Sequence, residues 1–280
     1  MWTSEHRLLS FDGTPLFFRR LKPKKEPRAV VFIIHGMGEH GGRYLALAEH
    51  LAGHGLESIA MDLRSFGKSG GSSKAYVDDF SDFHKDLWAV HSFVEKSLKN
   101  LPQFFLGHSF GGLIGSSYVA RRRVAAKGLV LTSPIFGTAL RVPRWRHCLA
   151  ITASYIFPHY SESTRVDPGT LTHDPAVMAA YKKDTLIYQR ISARLYRELS
   201  NMMAERRSIA EHILCPTLVL QAGEDRVVDK QMTQIFFKEL ASTDKEIQIY
   251  PGLYHEILNE INRFEIFTRI GEWVETKLSI

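Results

Sequence analysis

The sequence lacks the features that would place it across a membrane or in an oxidising compartment. It has only two cysteines, Cys148 and Cys215, which provide neither a disulfide framework nor the spacing of a metal site. No apolar run approaches the ~20 residues needed to cross a bilayer. The first residues, MWTSEHRLLSFDG, do not combine a basic start with an apolar stretch and a cleavage site. We therefore predict a cytoplasmic protein.

Signs of a metal, a cofactor or a nucleic-acid partner are also missing. The chain has 13 histidines, and His50 and His54 have helical i, i+4 spacing, but no acid accompanies them as in the zinc-hydrolase helix motif. The net charge of +6 is modest, and the basic residues do not cluster with stacking aromatics on a recognisable nucleic-acid module. The sequence therefore predicts no metal, no cofactor and no nucleic acid as partner.

Apolar runs that are typical of strands alternate with segments of helical periodicity. EHRLLSFDG and TPLFFRRL predict a hairpin at Asp12 and Gly13. The later predicted strands are AVVFIIHG, LESIAMD, QFFLGHS, KGLVLTSP, PTLVLQAG and KEIQIYPG, and EILNEINRFEIFTRIGEWVETKL is predicted to close the chain as a helix. This alternation predicts an α/β fold with a mostly parallel central sheet flanked by helices.

The alternation stops between Pro134 and Ala210. This segment has no convincing buried strand and contains the predicted helices DPAVMAAYKKDTLIYQR and ISARLYRELSNMMAERR. It is too long for one crossover connection without structure of its own. We therefore predict a helical cap over residues 134–210, inserted at the carboxyl edge of the sheet. The core would consist of residues 1–133 and 211–280.

A serine between glycines directly follows one predicted strand. In QFFLGHSFGG, Ser109 lies between that strand and the predicted helix GLIGSSYVA. Flanking glycines let the two elements approach closely, and the turn exposes the serine hydroxyl at the carboxyl edge of the sheet. Gly-x-Ser-x-Gly alone is a weak signal, because a glycine-rich turn with a solvated serine has the same pattern. At a strand-to-helix corner, however, Ser109 is a candidate nucleophile.

Two later loops follow predicted strands and offer the groups that a serine nucleophile needs. A serine hydroxyl reacts when a base takes its proton and a carboxylate orients that base. LVLQAGEDRVVD supplies Glu224, Asp225 and Asp229, and IQIYPGLYHEILNE supplies His255. The order serine, acid, histidine is that of the α/β-hydrolases. His255 is therefore the candidate base, and the three acids remain alternatives.

Two backbone N–H groups are candidates for an oxyanion hole, which stabilises the charge that develops in a tetrahedral intermediate. Phe110 follows Ser109 at the start of a predicted helix, where N–H groups have no partner within the helix. In the loop HGMG, after the AVVFII strand, glycines on both sides of Met37 leave its N–H free to turn into the site. We predict Met37 and Phe110 as the two donors.

Five segments resemble α/β-hydrolases of the monoacylglycerol lipase and lysophospholipase family. They span nearly the whole core in the family's order: HGMGEHGGRY, MDLRSFGKSGG, GHSFGG, AGEDRVVD and YPGLYHEILNE. The resemblance implies an α/β-hydrolase fold, with Ser109 as nucleophile and His255 as base. Among the three acids it implies Asp225. It also implies Met37 and Phe110 as oxyanion donors.

The resemblance further implies two substrate contacts. In related lipases the positions that match Glu39 and Arg43 lie near the bound glycerol head group, so these two are candidate substrate-binding residues. Phe110 departs from the family, which commonly has Met after the serine. The cap has no segment that aligns with the family, so no substrate contact is implied there.

The predicted cap carries almost all of the net charge. Residues 134–210 contain 11 Lys and Arg against 6 Asp and Glu, which is +5 of the total of +6. Aromatic residues and the apolar run CLAITASYIF lie between these charges. Such a surface is either solvated or associates with anionic lipid. We expect peripheral association with an anionic membrane surface, involving the arginines Arg141, Arg144, Arg146, Arg206 and Arg207.

The sequence thus predicts a serine esterase or lipase that cleaves a single acyl chain from a monoacylglycerol or a lysophospholipid. Its partner would be a small lipid ester, and the reaction would pass through an acyl-enzyme. One alternative is an aminopeptidase or small-ester hydrolase of the same fold, which a short pocket with a carboxylate would favour over a long apolar one. The other is a non-catalytic binding protein on the hydrolase fold, and the presence of all three catalytic side chains counts against it.

Overall fold

A central β-sheet organises the chain, of which the computed structural model describes residues 1–98, 101–122, 124–140, 142–164 and 166–279. In chain order the strands are β1 (Ser4–Leu9), β2 (Pro15–Leu21), β3 (Ala29–Ile34), β4 (Leu56–Asp62), β5 (Gln103–His108), β6 (Gly128–Thr132), β7 (Ser161–Ser163), β8 (Arg190–Ser192), β9 (Thr217–Ala222) and β10 (Lys245–Tyr250). All except β7 and β8 join the central sheet, which has eight strands within the described residues.

Helices connect most of these strands. In the described ranges they are α1 (Leu45–Gly53), α2 (Ser81–Glu95), α3 (Phe110–Arg122), α4 (Arg144–Ile156), α5 (Pro175–Lys183), α6 (Ala193–Ala204), α7 (Arg206–Ala210), α8 (Lys230–Glu239) and α9 (Arg263–Leu278). Short 3₁₀ turns occur at Gly41–Tyr44, Pro168–Thr170 and Ile257–Asn259. Of the helices described, none has the length and the apolar character that spanning a membrane requires.

The strand order is β1-β2-β4-β3-β5-β6-β9-β10. β1 and β2 form the predicted antiparallel hairpin, and β2 is antiparallel to β4. From β4 to β10 all neighbours are parallel, which confirms the predicted mostly parallel sheet. Because parallel strands end at the same edge, the loops after β3, β5, β9 and β10 lie close together.

The buried strands pack against helices on both faces of the sheet. Successive side chains of an extended strand point to opposite faces, so a strand covered on both sides is apolar throughout. On one face Phe32 stacks on Phe105, with ring centroids 5.2 Å apart, in a cluster with residues of α2 and α3. On the other face Phe104 packs with residues of α1 and α9. The continuous apolar runs of β3 and β5 follow from this arrangement.

Residues 134–210, which we call the cap segment, connect β6 to β9. They contain α4 to α7 and the antiparallel pair β7 and β8, in which Ser161 lies opposite Ser192. Neither strand of this pair joins the central sheet in the part of the chain that the structure describes. We propose on this ground the division into a core of residues 1–133 and 211–280 and a cap of residues 134–210.

Inside the cap segment, the predicted helices are too long. The first of them ends at Lys183, because Asp184 has an extended backbone and its carboxylate accepts the N–H of Leu186 at 2.9 Å. The chain then runs into β8. The second helix begins at Ala193, after the Ser192 hydroxyl accepts the N–H of Leu195.

The closing helix also begins later than predicted, at Arg263. A 3₁₀ turn precedes it, and Glu260 is extended, with ψ 168°. The Glu260 carboxylate accepts the backbone N–H groups of Tyr254, at 2.9 Å, and of His173, at 3.1 Å. These contacts hold the residues after β10 as a loop, and that loop carries His255.

Substitution of Trp273 tests how much the packing of α9 against the sheet stabilises the fold. It is 2% exposed, and its indole N–H donates to Glu246 at 3.0 Å. Trp273→Ala should lower the free energy of unfolding by about 3–5 kcal/mol, because it leaves a cavity between α9 and the sheet. Trp145→Ala is the matched control: this side chain is 65% exposed, so the change should stay within about 0.5 kcal/mol. Urea denaturation measures both values, and equal losses would contradict the packing described.

Candidate active site

Ser109 lies at the corner between β5 and α3, with φ at 52°, a left-handed backbone that residues with side chains rarely adopt. A Cβ on Gly107 would approach the carbonyl oxygen of Gly111 to 2.4 Å. A Cβ on Gly111 would approach the carbonyl oxygen of Ile34 to 2.0 Å. The two glycines therefore allow α3 to pack directly against the strand ends, and this close packing holds Ser109 in its strained turn.

His255 and Asp225 reach Ser109 from the loops after β10 and β9. His255 Nε2 lies 2.9 Å from Ser109 Oγ, and His255 Nδ1 lies 2.8 Å from Asp225 Oδ2. All three side chains are buried. The structure thus brings the three residues predicted as nucleophile, base and acid into one hydrogen-bonded line.

Hydrogen-bond partners show which of the three acids after β9 pairs with His255. Asp225 Oδ1 accepts the backbone N–H groups of Val227 and Val228, both at 2.9 Å, which leaves Oδ2 facing His255. Asp229 instead caps α8 by accepting the N–H of Gln231 at 2.8 Å. Glu224 is exposed. Within the described residues, Asp225 is the acid of this loop that is hydrogen-bonded to His255.

Burial and mutual contact shift the pKa values of this pair in opposite directions. Burial alone would lower the pKa of His255, but the charge of Asp225 and the hydrogen bond to it raise that pKa above its ordinary value of 6.5, with help from Glu256 and Glu39. Burial would raise the pKa of Asp225, but the charge of His255 and its hydrogen bonds lower it. Asp225 therefore stays ionised at neutral pH, and His255 is a stronger base than a free imidazole.

The backbone N–H groups of Met37 and Phe110 have no hydrogen-bond partner among the described residues. Phe110 is the first residue of α3, and its ring is buried against those of Phe80 and Phe83. Met37 lies in the loop after β3 and lines the same cavity as Ser109. Both groups are thus available next to the serine, as an oxyanion hole requires.

A cavity of about 710 Å³ opens on Ser109 and His255. Its wall combines the loops at the sheet edge with the cap segment. The cap contributes mainly apolar side chains, among them Leu140, Val142, Leu149, Ile191, Leu199 and Met203. The acids in its lining, among the described residues, are Glu39, Glu162 and Glu256. The reactive groups therefore face a mostly apolar space.

Glu39 lines this cavity, whereas Arg43 lies behind it. Glu39 Oε1 accepts the N–H of Gly36, at 2.7 Å, and the hydroxyl of Tyr44, at 2.8 Å, and its Oε2 accepts from Arg43 at 2.5 Å. Arg43 also donates to both carboxylate oxygens of Glu256 and is not among the described residues that line the cavity. Three of the five N–H groups of Arg43 are thus donated to these two carboxylates, and its side chain is 10% exposed.

Sequence reasoning missed two buried residues beside the histidine. Glu256 holds Arg43 and directly follows His255 in YHEILNE, a position that was its only signal. The His108 ring lies 4.9 Å from that of His255. Burial, together with the charge of His255, lowers the pKa of His108 to about 4, so this ring is neutral at pH 7. Nothing in GHSFGG distinguishes such a histidine from a solvated one.

Comparison with known proteins gives the family. A family profile described as serine aminopeptidase, S33 (Hydrolase_4), matches residues 25–262. The chain belongs to this family of α/β-hydrolases. The matched range includes β3, β5, β9 and β10 and the loops that carry the candidate site.

Individual relatives agree with this assignment. The chain is 32% identical to phospholipase YtpA of Bacillus subtilis, over 86% of this chain and 93% of that protein. It is 30% identical to the monoglyceride lipase of Rattus norvegicus, over 98% of this chain and 91% of that protein. The crystal structure of Paleococcus ferrophilus monoacylglycerol lipase is 31% identical, with a TM-score of 0.83 over 93% of this chain and 99% of that chain. The predicted α/β-hydrolase fold is thereby confirmed.

One relative is much longer. An uncharacterized abhydrolase domain-containing protein of Dictyostelium discoideum is 29% identical over 99% of this chain, which spans 30% of that protein's length. The α/β-hydrolase part of that protein therefore corresponds to nearly all of the present chain.

The raised pKa of His255 predicts how the reactivity of Ser109 depends on pH. A fluorophosphonate should label Ser109, because neutral His255 takes the proton from its hydroxyl. The labelling rate should fall as the pH decreases, with a midpoint above 6.5, the ordinary value for histidine. Timed labelling from about pH 5 to about pH 9, followed by mass spectrometry of the Ser109 peptide, measures this midpoint.

Asp225→Asn should lower both the labelling rate and its midpoint, because it removes the charge that favours protonated His255. Asp229→Asn is the matched control, since that carboxylate caps α8 and should leave the midpoint unchanged. Equal labelling of several serines, without dependence on pH, would contradict an activated Ser109.

Proposed function

We propose that the protein is a serine esterase or lipase that cleaves a single acyl chain from a monoacylglycerol or a lysophospholipid. The observation that carries the proposal is the line Ser109–His255–Asp225, with contacts of 2.9 and 2.8 Å, on the wall of a mostly apolar cavity. Such a line is what acyl transfer through a covalent intermediate requires. A cavity of about 710 Å³ has the size of a site that encloses a lipid-sized molecule.

The first half of the reaction forms the acyl-enzyme. Ser109 Oγ attacks the ester carbonyl carbon while its proton passes to His255 Nε2. The carbonyl oxygen becomes an oxyanion that accepts hydrogen bonds from the N–H groups of Met37 and Phe110. When the intermediate collapses, the bond to the alcohol oxygen breaks, and His255 gives its proton to the departing alcohol.

The second half releases the fatty acid. Water takes the place of the alcohol, loses a proton to His255 and attacks the acyl carbon. The same N–H groups stabilise the second oxyanion, and the proton returns to Ser109 Oγ as the carboxylic acid leaves. Throughout, ionised Asp225 orients the imidazole and stabilises its protonated form.

The acids of the cavity favour an ester over a peptide with a free amino terminus. An aminopeptidase needs a carboxylate that is free to receive the substrate ammonium. In the described lining, Glu39 and Glu256 are both paired with Arg43, and Glu162 is paired with Arg146 at 2.8 Å. The two buried pairs count against the aminopeptidase alternative, whereas Glu162, whose side chain is 52% exposed, is held only by a surface pair. The relatives named as monoglyceride lipase and phospholipase support a lipid ester.

We further propose that the cap segment brings the protein to an anionic membrane surface. Large apolar side chains on and after α4 are exposed: Trp145 by 65%, Leu149 by 59%, Ile156 by 63% and Phe157 by 67%. Because Trp145 and Leu149 also line the cavity, this apolar surface continues into the site. Basic residues beside apolar ones favour binding to anionic lipid.

The arginines expected to take part are distributed unevenly. Arg144 and Arg146 lie on α4, next to the exposed apolar side chains, and Arg206 and Arg207 begin α7. Arg141 lies outside the described residues. Arg146 is paired with Glu162, so Arg144 is the arginine of α4 best placed to meet a lipid head group.

The catalytic line predicts the outcome of substitutions at the site. Ser109→Ala should abolish hydrolysis of p-nitrophenyl butyrate and of monoacylglycerols while the protein stays folded. His255→Ala should lower kcat by about 10⁴-fold or more, and combining it with Ser109→Ala should add little, because the residues act as a unit. Steady-state kinetics, with circular dichroism as a check on folding, provides the measurement. Substantial turnover by Ser109→Ala would contradict the proposal.

A panel of substrates tests the proposed lipid ester against the aminopeptidase alternative. Monoacylglycerols and lysophosphatidylcholines of increasing acyl length should be hydrolysed with kcat/KM that rises with chain length, because a longer chain buries more apolar surface in the cavity. Aminoacyl p-nitroanilides are the control and should be hydrolysed poorly. Faster cleavage of the anilides would favour the aminopeptidase.

Vesicle binding tests the role of the cap surface. Ile156→Ser, Phe157→Ser and Arg144→Glu alter exposed positions that do not line the cavity in the described part of the chain. Together they should weaken co-sedimentation with phosphatidylglycerol vesicles, and added salt should weaken binding of the unmodified protein, because it screens exposed charges. Hydrolysis of p-nitrophenyl butyrate should be unchanged. Leu214→Ser, at a leucine 76% exposed outside the cap segment, is the matched control.

Two results would contradict this role. If binding to vesicles persists in the triple variant, the cap surface is only solvated. If hydrolysis of the soluble ester falls together with vesicle binding, the substituted residues support the cap's own structure.

A further inference from the structure

Arg43 connects the two loops that carry the base and one oxyanion donor. Its Nη1 donates to Glu39 Oε2, at 2.5 Å, and to Glu256 Oε1, at 2.8 Å. Its Nη2 donates to Glu256 Oε2 at 2.6 Å. Glu39 belongs to the loop after β3, which contains Met37, whereas Glu256 belongs to the loop after β10. One guanidinium therefore spans two loops that are far apart in the sequence.

This cluster is enclosed by protein. The side chains of Arg43, Glu39 and Glu256 are 10%, 4% and 7% exposed. The ring of Tyr181, from α5, lies 5.0 Å from the guanidinium carbon and covers it. A planar fork paired with a carboxylate is a rigid contact, and breaking it in a buried place leaves a charge unpaired. The distance between the two loops is therefore held firmly.

At one end the cluster restrains the backbone beside Met37. Glu39 Oε1 accepts the N–H of Gly36, the residue before Met37, at 2.7 Å. On the other side the carbonyl of Gly38 accepts the N–H of Tyr188, from the cap segment, at 2.8 Å. The chain is thus anchored both before and after Met37. Together with His35 Nδ1, which lies 2.6 Å from the Gly36 carbonyl oxygen, these anchors restrain the peptide group that carries the Met37 N–H.

At the other end the cluster restrains the backbone beside His255. Glu256 follows His255, and besides the Arg43 fork its Oε2 accepts from the side-chain amide of Asn259 at 2.9 Å. The Glu256 N–H donates to the carbonyl of Leu171 at 2.8 Å. The histidine loop is therefore held by the same guanidinium as the Met37 loop.

We propose that Arg43 is a positioning residue, which holds the Met37 N–H and the His255 imidazole at the separation that the oxyanion intermediates require, and that it is not a contact of the substrate head group. This inference rests on the proposed ester hydrolysis at Ser109. It assigns Glu39 and Glu256 as the two partners through which Arg43 acts.

The two roles predict different effects on deacylation. A head-group contact acts only while the alcohol is bound, so its loss slows acylation or raises KM for a glycerol ester. A positioning residue acts on both oxyanions, so its loss also slows deacylation, which takes place after the alcohol has left. Deacylation of a common acyl group therefore separates the two roles.

Arg43→Lys is the test, because lysine keeps a positive charge between the two carboxylates but cannot form the fork. The reaction with p-nitrophenyl butyrate is followed before the steady state, so that the burst gives the acylation rate and the later phase the deacylation rate. We expect deacylation to fall by about 10-fold to 100-fold, the range that a small misplacement of reacting groups produces. The KM for glycerol monobutyrate should change little.

Arg64→Lys is the matched control. Arg64 is 7% exposed, forms a fork with Asp86 at 2.6 and 2.7 Å, and lies outside the cavity lining in the described residues. Arg64→Lys should lower the midpoint of thermal unfolding about as much as Arg43→Lys does, but it should leave the deacylation rate unchanged. If Arg43→Lys does not fold, Glu256→Gln is the second variant, because glutamine keeps the size of the side chain and one acceptor oxygen. Glu256→Gln should also slow deacylation.

Unchanged deacylation in Arg43→Lys, with a raised KM confined to the glycerol ester, would overturn the positioning role and establish a head-group contact. An equal loss of deacylation in Arg64→Lys would also overturn it, because the effect would then follow from lost stability. If the unmodified protein shows neither a burst nor labelling at Ser109, the proposed function fails, and the inference fails with it.

Discussion

The close packing of α3 against the ends of β3 and β5 determines the position of Ser109, on which the proposed active site depends. The carbonyl oxygen of Ile34 lies so near Gly111 that no side chain fits there. The chain must therefore turn sharply at Ser109, with φ at 52°. This contact turns the buried Ser109 hydroxyl toward His255 and places the Phe110 N–H at the start of α3. The proposed nucleophile, Ser109, and one proposed oxyanion donor, Phe110, are thus fixed as a unit, to which the later loops add His255 and Asp225.

The electrostatics of the site depend on a balance among buried charges. Asp225, Glu256 and Glu39 all raise the pKa of His255, and burial opposes them. Three buried carboxylates would be unstable without a cation, since each loses its hydration. Arg43 pairs with two of them, which leaves Asp225 to act on the imidazole. His108, beside His255, is neutral at pH 7 because burial and the charge of His255 lower its pKa to about 4, so it adds no positive charge there.

Much of the fold and of the site's central line could be predicted from sequence, because the signals are local. Strands buried on both faces are apolar throughout, and the turn at Ser109 needs glycines within a few residues. The start of the closing helix could not, because Glu260 acts through contacts with the distant His173. The first cap helix ends at a local contact between Asp184 and Leu186, which its helical spacing did not indicate. The Arg43–Glu256 pair, 213 residues apart, leaves no pattern in the sequence.

The cap segment is hydrogen-bonded to the loop after β3 and to the loop after β10, but α4 takes no part in these contacts within the described residues. Tyr188 and Asp184 bind the loop after β3, at Gly38 and His40, and Leu171 binds the loop after β10 at Glu256. These residues come after α4 in the chain, whereas α4 packs on α6 and exposes its apolar side chains. The part of the cap that contacts these two loops is therefore separate from the exposed apolar surface of α4. If α4 meets the lipid surface as proposed, changes in its exposed side chains should therefore leave the contact of Ser109 with His255 in place.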